Sequence, residues 1–350
     1  MTTPIINLRS DTQTLPTAAM RQAMATAELG DDTYGDDPTV ARFEAMAAAA
    51  MAKPAAMLAI SGHMANLIAL IVHAPAGSEV ILDVESHIFH YEVGSMASVA
   101  HVMPWPVQSE AGMLDPERVA ASIRERDIHY PRPRLLCLEN THNRSGGRVI
   151  PLALHAQLCE VARDRGLAVH LDGARIFNAA IAAGASVADY TASVDSVMFA
   201  LTKGLSCPLG SVLAGDEAFI AEARAVRRRL GGGMRQAGVI AAAGIVALET
   251  MVDRLAEDHA RARHLAQGVA ALPGLSVDMA SVETNMVYVD HRATGQSTDA
   301  IMDLFRRHGV LATSRPPHHV RLVTNRHHDD ATITEALARL RAATSELARG

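Results

Sequence analysis

The chain has 350 residues, of which 49% are hydrophobic and 20% charged, and carries a formal charge of −6. A chain of this length buries a large core and is expected to divide into one large and one smaller domain, and its acidic balance argues against nucleic acid as the main partner. Cys137, Cys159 and Cys207 are odd in number and lack metal spacing, so a reducing cytoplasm fits and no metal is expected.

No positive segment followed by an apolar one opens the chain, so a secretory signal is not expected. Residues 7 to 14 are polar, with neither a helical nor a strand period, and a segment of that kind ahead of a predicted helix (Pro16 to Ala27) often lies across a cleft. Gly30 to Pro38 is acidic and glycine-rich, a loop that either merely connects or carries Tyr34 to a site. Asp37 before Pro38 suits a helix start, and the helix predicted over Thr39 to Met51 stops near Lys53-Pro54, which reads Lys53 as a surface residue. Two apolar stretches, 57 to 74 and 237 to 248, approach membrane length. The first holds Ser61, Gly62, His63 and Asn66 and the second is short and alanine-rich, so both are expected to be buried core helices and no membrane partner follows.

From residue 55 the pattern becomes strand, turn, helix, repeated, as in an α/β domain. A strand at Ala56 to Ile60 runs through Ser61-Gly62 into a helix at Met64 to His73. A glycine turn of this kind points backbone N–H groups outward with the helix dipole behind them, which suits a phosphate. The strand Glu79 to Val84 leads to His87, placed where an imidazole can stack on a planar ligand. A short strand at Ala100 to Met103, a helix at Asp115 to Arg126 and the segment Asp127-Ile-His129-Tyr130 follow. Next come the strand Arg134 to Leu138, the polar turn Glu139 to Gly147 and the helix Leu152 to Arg165. The apolar run Leu167 to Leu171 ends on Asp172, with Arg175 three residues on; the alternative for Asp172 is a helix-capping aspartate.

The run Val197 to Leu201 then delivers Lys203. Only Lys53 and Lys203 are lysines among 32 basic residues, the other thirty being arginine. Arginine cannot form an imine, whereas a deprotonated lysine amine attacks a carbonyl, so Lys203 at a strand end is a candidate nucleophile, the alternative being a solvated lysine. A strand over Ser211 to Ala214 and a helix over Glu217 to Leu230 come next. The helix carries the basic run Arg224 to Arg229, which is either a solvated face or a local basic patch. Gly231-Gly-Gly-Met-Arg235-Gln lets backbone approach a ligand or a second subunit. A long helix is predicted from Ala237 to about Leu272, then strands at Leu275 to Asp278 and Asn285 to Asp290, a helix at Thr298 to His308, and strands at Val310 to Thr313 and Val320 to Thr324. The domain change is placed near residue 250, giving domains 1–250 and 251–350.

A strand-end lysine, a strand-end aspartate, a strand-end histidine and a glycine turn at a helix start are what pyridoxal phosphate (PLP) chemistry requires. With them stand Leu-Arg-Ser-Asp-Thr at 8 to 12, Gly-Asp-Asp-Thr-Tyr-Gly-Asp-Asp-Pro-Thr-Val at 30 to 40, Leu-Glu-Asn-Thr-His-Asn at 138 to 143, His-Leu-Asp-Gly-Ala-Arg-Ile-Phe-Asn at 170 to 178, Leu-Thr-Lys-Gly-Leu at 201 to 205 and Gly-Gly-Gly-Met-Arg-Gln at 231 to 236. On these motifs, spread nearly end to end, the chain resembles the low-specificity L-threonine aldolases. The resemblance implies the PLP-dependent transferase-like fold (fold type I) with a mainly parallel sheet, a smaller carboxyl-terminal α/β domain, and retro-aldol cleavage of threonine or allo-threonine to glycine and an aldehyde. It further implies that Lys203 carries the cofactor, Asp172 pairs with its ring nitrogen, His87 stacks on its ring, and Gly62, the amide of His63 and Thr202 hold its phosphate. Ser10, Arg175 and Arg321 would bind the substrate carboxylate, Tyr34 and Arg235 would reach the neighbouring subunit's site in a homodimer or homotetramer, and His87 or His129 would be the base. One departure is His63, where the family usually carries threonine. Within PLP chemistry the rivals are β-elimination, racemisation and aminotransfer. A nicotinamide-dependent oxidoreductase is disfavoured because no Gly-x-Gly-x-x-Gly follows a strand.

Overall fold

The computed structural model describes residues 4–347. In chain order the strands are β1 (Ile6–Asn7), β2 (Ala55–Ala59), β3 (Glu79–Asp83), β4 (Met103–Val107), β5 (Pro133–Glu139), β6 (Ala168–Asp172), β7 (Ser196–Ala200), β8 (Ser211–Gly215), β9 (Met286–Asp290), β10 (Val310–Leu311), β11 (Thr313–Arg315) and β12 (His319–Val323). The chain divides into two compact units: Leu15–Ser145 with Val149–Val252, and a smaller one of residues 4–14, Gly146–Arg148 and 253–347.

The larger unit is built on a seven-stranded sheet of order β2-β8-β7-β6-β5-β3-β4, in which β8 alone runs antiparallel to its neighbours. Every residue of β3, β7 and β8 is buried, as expected of near-continuous apolar strands covered on both faces. Met57 and Ala59 of β2, Met198 of β7 and Leu213 of β8 pack with Ile68 of the helix Gly62–His73 and with Phe219 and Ala223 of the helix Glu217–Arg229. Each large side chain fully buried in this way contributes roughly 1.5–3 kcal/mol. The strand expected at Ala100 to Met103 lies further on, at Met103–Val107. It forms the sheet edge, where Pro104 and Pro106, having no N–H to donate, are tolerated.

The smaller unit has its own core, in which Ile6 and Leu8 join Val287, Val289, Leu304, Phe305, Leu322, Ile333 and Leu340. The antiparallel sheet β11-β12-β9 and the parallel pair β1-β10 supply its strands. Pairing of β1 with β10 is the reason residues 4–14 pack here rather than with the rest of 1–250.

Three further sequence expectations are corrected. The long helix predicted from Ala237 to Leu272 is two helices, Gly238–Thr250 and Leu255–Ala270, parted by a turn through Met251–Arg254 in which the unit boundary falls. The strand expected at Leu275 to Asp278 is a single bridge, Ser276 to Asp290. Lys53 is half-buried rather than superficial: its Nζ donates to the Val194 carbonyl, and burial lowers its pKa. The basic run is split as well. Arg227 is buried and donates to Leu58 O at 2.6 Å and to Asp32 at 2.7 Å, and Arg224 pairs with Glu44, while Arg228 and Arg229 are exposed. Among the described residues no helix is long and apolar enough to cross a membrane.

Candidate active site

Because β3, β5, β6 and β7 are parallel neighbours, their carboxyl ends lie side by side along one edge of the sheet. Lys203 follows β7, Asp172 closes β6, Glu139 closes β5, and His87 opens a short helix after β3. β2, antiparallel to β8, also points its carboxyl end to this edge and delivers Ser61-Gly62 there. Ligands bind at this edge in open α/β sheets.

Beneath this edge one buried amide links the groups. Asn66, a turn into the helix Gly62–His73, donates from Nδ2 to Asp172 Oδ2 at 2.9 Å and to Glu92 Oε1 at 2.8 Å, and its Oδ1 meets His170 Nε2 at 3.0 Å. Glu92 Oε1 also meets His87 Nδ1 at 3.2 Å, and Glu139 Oε2 accepts from the His87 backbone N–H at 2.6 Å. Burial works against a charged His87, but the Glu92 hydrogen bond and the charges of Asp172, Glu139 and Glu92 outweigh it, and its pKa is raised. Burial raises the pKa of Glu92, aided by the Asp172 charge and opposed by His87 and Asn66. His170 is driven down to about 3, chiefly by burial, and so stays neutral.

Asp172 is 2% exposed, and one of its oxygens accepts from the Asn66 amide. Its other oxygen accepts from Ala174 N at 3.1 Å in the turn after β6, whereas the helix that follows begins at Ile176 behind Arg175 with no side-chain cap, so the capping alternative does not hold. A buried carboxylate at the carboxyl end of a sheet strand, held by neutral amide donors, suits a protonated ring nitrogen from a cofactor. At the glycine turn, Ser61 caps the helix by accepting from Met64 N at 3.2 Å, and Gly62 and His63 occupy its first turn. The His63 ring is turned aside to Ser95 Oγ at 3.1 Å, leaving its backbone amide in the helix start. Lys203 and Thr202 are half-buried in the compact loop between β7 and β8, where Ser206 N donates to Lys203 O at 2.9 Å. His87, Glu92 and Asp172 each offer one atom within 4.8 Å of the others, a spacing that a cation also accepts.

The remaining candidates fall into four groups. Arg175 is 7% exposed and stands at the start of the helix Ile176–Ala183, directly beyond the Asp172 turn. Tyr34 and Arg235 are on loops tied to each other: Arg235 Nη1 donates to Asp31 at 2.9 Å, and Asp32 N donates to Arg235 O at 2.9 Å, while Tyr34 is 76% exposed. His129 is exposed on a turn, its backbone N–H donating to Asp127 at 2.8 Å, and no described hydrogen bond joins its ring to the Asn66 cluster. Ser10 and Arg321 belong to the smaller unit, where Ser10 Oγ accepts from Thr12 N at 3.2 Å and the buried Arg321 donates to Arg9 O at 3.2 Å.

A family model for beta-eliminating lyases matches residues 7–292. The chain is 42% identical over 332 residues to low-specificity L-threonine aldolase 1 of Arabidopsis thaliana, covering 93% of this chain and 92% of that one. The chain belongs to the L-threonine aldolase family. Its fold is shared with the solved threonine aldolase of Leishmania major, at 19% identity and a TM-score of 0.82 over 98% of this chain and 99% of that one. A chain solved as SPT with PLP has the same fold, at 17% identity and a TM-score of 0.76 over 99% of this chain and 89% of that one. The architecture of this member of the aldolase family is therefore fold type I, with the mostly parallel sheet described above. Reading the sequence missed Glu92 altogether and took Asn66 only as a polar interruption of an apolar run. A polar side chain one helical turn below a phosphate-type glycine turn was the available signal.

Proposed function

We propose that this aldolase-family chain binds PLP and cleaves L-threonine or L-allo-threonine to glycine and acetaldehyde. The observation that carries the reading is the shared edge of the sheet: Lys203, Asp172, Glu139 and His87 stand at the carboxyl ends of four adjacent parallel strands. The fold neighbour solved with PLP and the threonine aldolase relatives support it.

When bound, PLP supplies an electron sink for the pair released from the Cα–Cβ bond. Lys203 would hold it covalently, Asp172 its ring nitrogen, the His87 ring its face, and Thr202 with the backbone amides of Gly62 and His63 its phosphate. Arg175 would bind the substrate carboxylate, the role that the family resemblance also gives to Ser10 and Arg321. Fixing the carboxylate fixes which bond to Cα breaks, and this orientation separates aldol cleavage from racemisation. The β-hydroxyl proton passes to a neutral imidazole, of His87 or of His129, since imidazole titrates in the useful range. Tyr34 and Arg235 are assigned to a neighbouring subunit's site in a homodimer or homotetramer, and a cytoplasmic setting fits the three unpaired cysteines.

The test is the visible spectrum of the purified protein with PLP, before and after L-threonine, for wild type and Lys203→Ala. A band that depends on Lys203, with acetaldehyde and glycine formed on adding threonine, is the expected result. A band without acetaldehyde moves the reading to another β-hydroxy amino acid or to β-elimination, and no band removes it.

A further inference from the structure

Glu92 belongs to none of the assignments above, yet it is 0% exposed and within hydrogen-bond reach of the candidate base. Water cannot reach it, so its carboxylate persists only through what the protein offers. One oxygen, Oε1, serves both His87 Nδ1 and Asn66 Nδ2. The other, Oε2, is buried without a hydrogen-bond partner, with His63 Nε2 the nearest cationic candidate at 3.9 Å. Asn66 settles the direction of these bonds. Its Nδ2 group can only donate, so Glu92 Oε1 and Asp172 Oδ2 both accept, and a carboxylate oxygen so engaged draws a proton onto the facing His87 Nδ1.

We propose that Glu92 is a positioning residue of the aldol cleavage: by accepting from His87 Nδ1 it fixes the imidazole in the tautomer whose lone pair is on Nε2, and through Asn66 it registers that ring against Asp172. The inference rests on the function proposed above and on His87 as its base. In the step concerned, the substrate hydroxyl proton moves to His87 Nε2, giving an imidazolium with a proton on each nitrogen. The carbon–carbon bonding pair departs from the β-carbon as the aldehyde C=O forms, and the imidazolium later returns its proton to the glycine α-carbon or to solvent. Glu92 neither gains nor loses a proton; its charge stabilises the imidazolium as the buried aspartate of a hydrolase triad does. The charged and titratable groups facing His87 are Glu92, Glu139 beneath its backbone, Asp172 across Asn66, and Tyr91, whose ring lies 5.2 Å away and whose hydroxyl accepts from Arg144. His63 faces the far side of Glu92, and His90 is drawn off to Glu85. Of these, Glu92 is the group bonded to the ring itself, so its substitution tests that contact.

The experiment compares wild type, Glu92→Gln and Glu92→Leu. The first readout is ¹⁵N NMR of the His87 ring in the protein without PLP, assigned by its loss in His87→Asn. The second is the pH profile of threonine cleavage by the holoenzyme. Wild type should show His87 with its proton on Nδ1. Glutamine keeps the acceptor and drops the charge, so the tautomer should persist while the acid limb of the pH profile moves down by about one unit. Leucine removes the acceptor, so the tautomers should mix and kcat fall about 10- to 100-fold, with KM little changed. Unchanged ring shifts in Glu92→Leu, or a Glu92→Gln profile superimposable on wild type, would overturn the proposal. Wild type that lacks threonine cleavage but shows the Nδ1-protonated ring refutes the proposed reaction and leaves the ring geometry standing.

Discussion

At the residue scale the burial of Asn66 makes it the most exacting position near the candidate site. It is 2% exposed and serves Asp172, Glu92 and His170 at once. Asn66→Leu fills much the same volume but strands three buried polar groups, each worth about 1–3 kcal/mol when unsatisfied. Part of that is relieved as Glu92, whose pKa burial already raises, takes up a proton, so a net loss of about 2–4 kcal/mol is expected in urea unfolding of the protein without cofactor. A change under about 0.5 kcal/mol would mean that the amide is not the junction described. The residues legible in the sequence were those that interrupt an apolar strand: Asp172 after Val169-His-Leu and Lys203 after Met198-Phe-Ala-Leu. Glu92 was not legible, because it reaches His87 through a four-residue helix, His87–His90, and a turn whose Val93 has a φ of 54°. Neither feature leaves a periodic trace.

At the element scale, two glycines at the sheet edge differ in what a methyl group would meet. A Cβ on Gly173 would stand 2.8 Å from the Met198 carbonyl oxygen, where Gly173 N already donates to that oxygen at 3.0 Å to join the exit of β6 to β7. Backbone cannot yield there, so Gly173→Ala is expected to cost about 1–3 kcal/mol and to displace Asp172. A Cβ on Gly62 would stand 2.9 Å from Met198 Cε, the movable end of a flexible side chain. Gly62→Ala should therefore stay within about 1 kcal/mol of wild type. Paired thermal melts check the contrast, and equal losses would contradict it. Strands with continuous apolar runs and helices with clear caps were legible, such as Pro38–Ala50 behind Asp37. The turn at Met251–Arg254 was not, since no glycine or proline marks it. Nor was β1, whose two residues become a strand only through β10, some three hundred positions away in the chain.

At the scale of the whole molecule, buried histidines set the response to acid. His73 and His170 share the Ser196 hydroxyl, each at 2.8 Å, and burial lowers them to about 4 and about 3. An unfolded histidine titrates near 6.5. Between that value and the folded ones the unfolded chain binds protons that the native protein refuses. Their contribution is thus fully present above about pH 6.5 and is lost as the pH falls, on the order of 2 kcal/mol per histidine by pH 5. Tm should drop steeply from pH 7 to 5, and His73→Gln, which can still bond Ser196, should make that slope shallower. A flat Tm over this interval would show that neither ring is held neutral.

The tether of Lys53 to the Val194 carbonyl has a consequence for chemical handling. Two lysines are all the side-chain amines the chain possesses, and both are half-buried. A catalyst that releases acetaldehyde into its own vicinity would therefore expose few groups for that product to alkylate, since guanidinium is inert to it at neutral pH. The same scarcity favours preparative work: coupling to aldehyde-activated supports finds few side-chain amines to grip, and, on the cofactor role proposed for Lys203, borohydride trapping of a carbonyl ligand is expected to mark that residue.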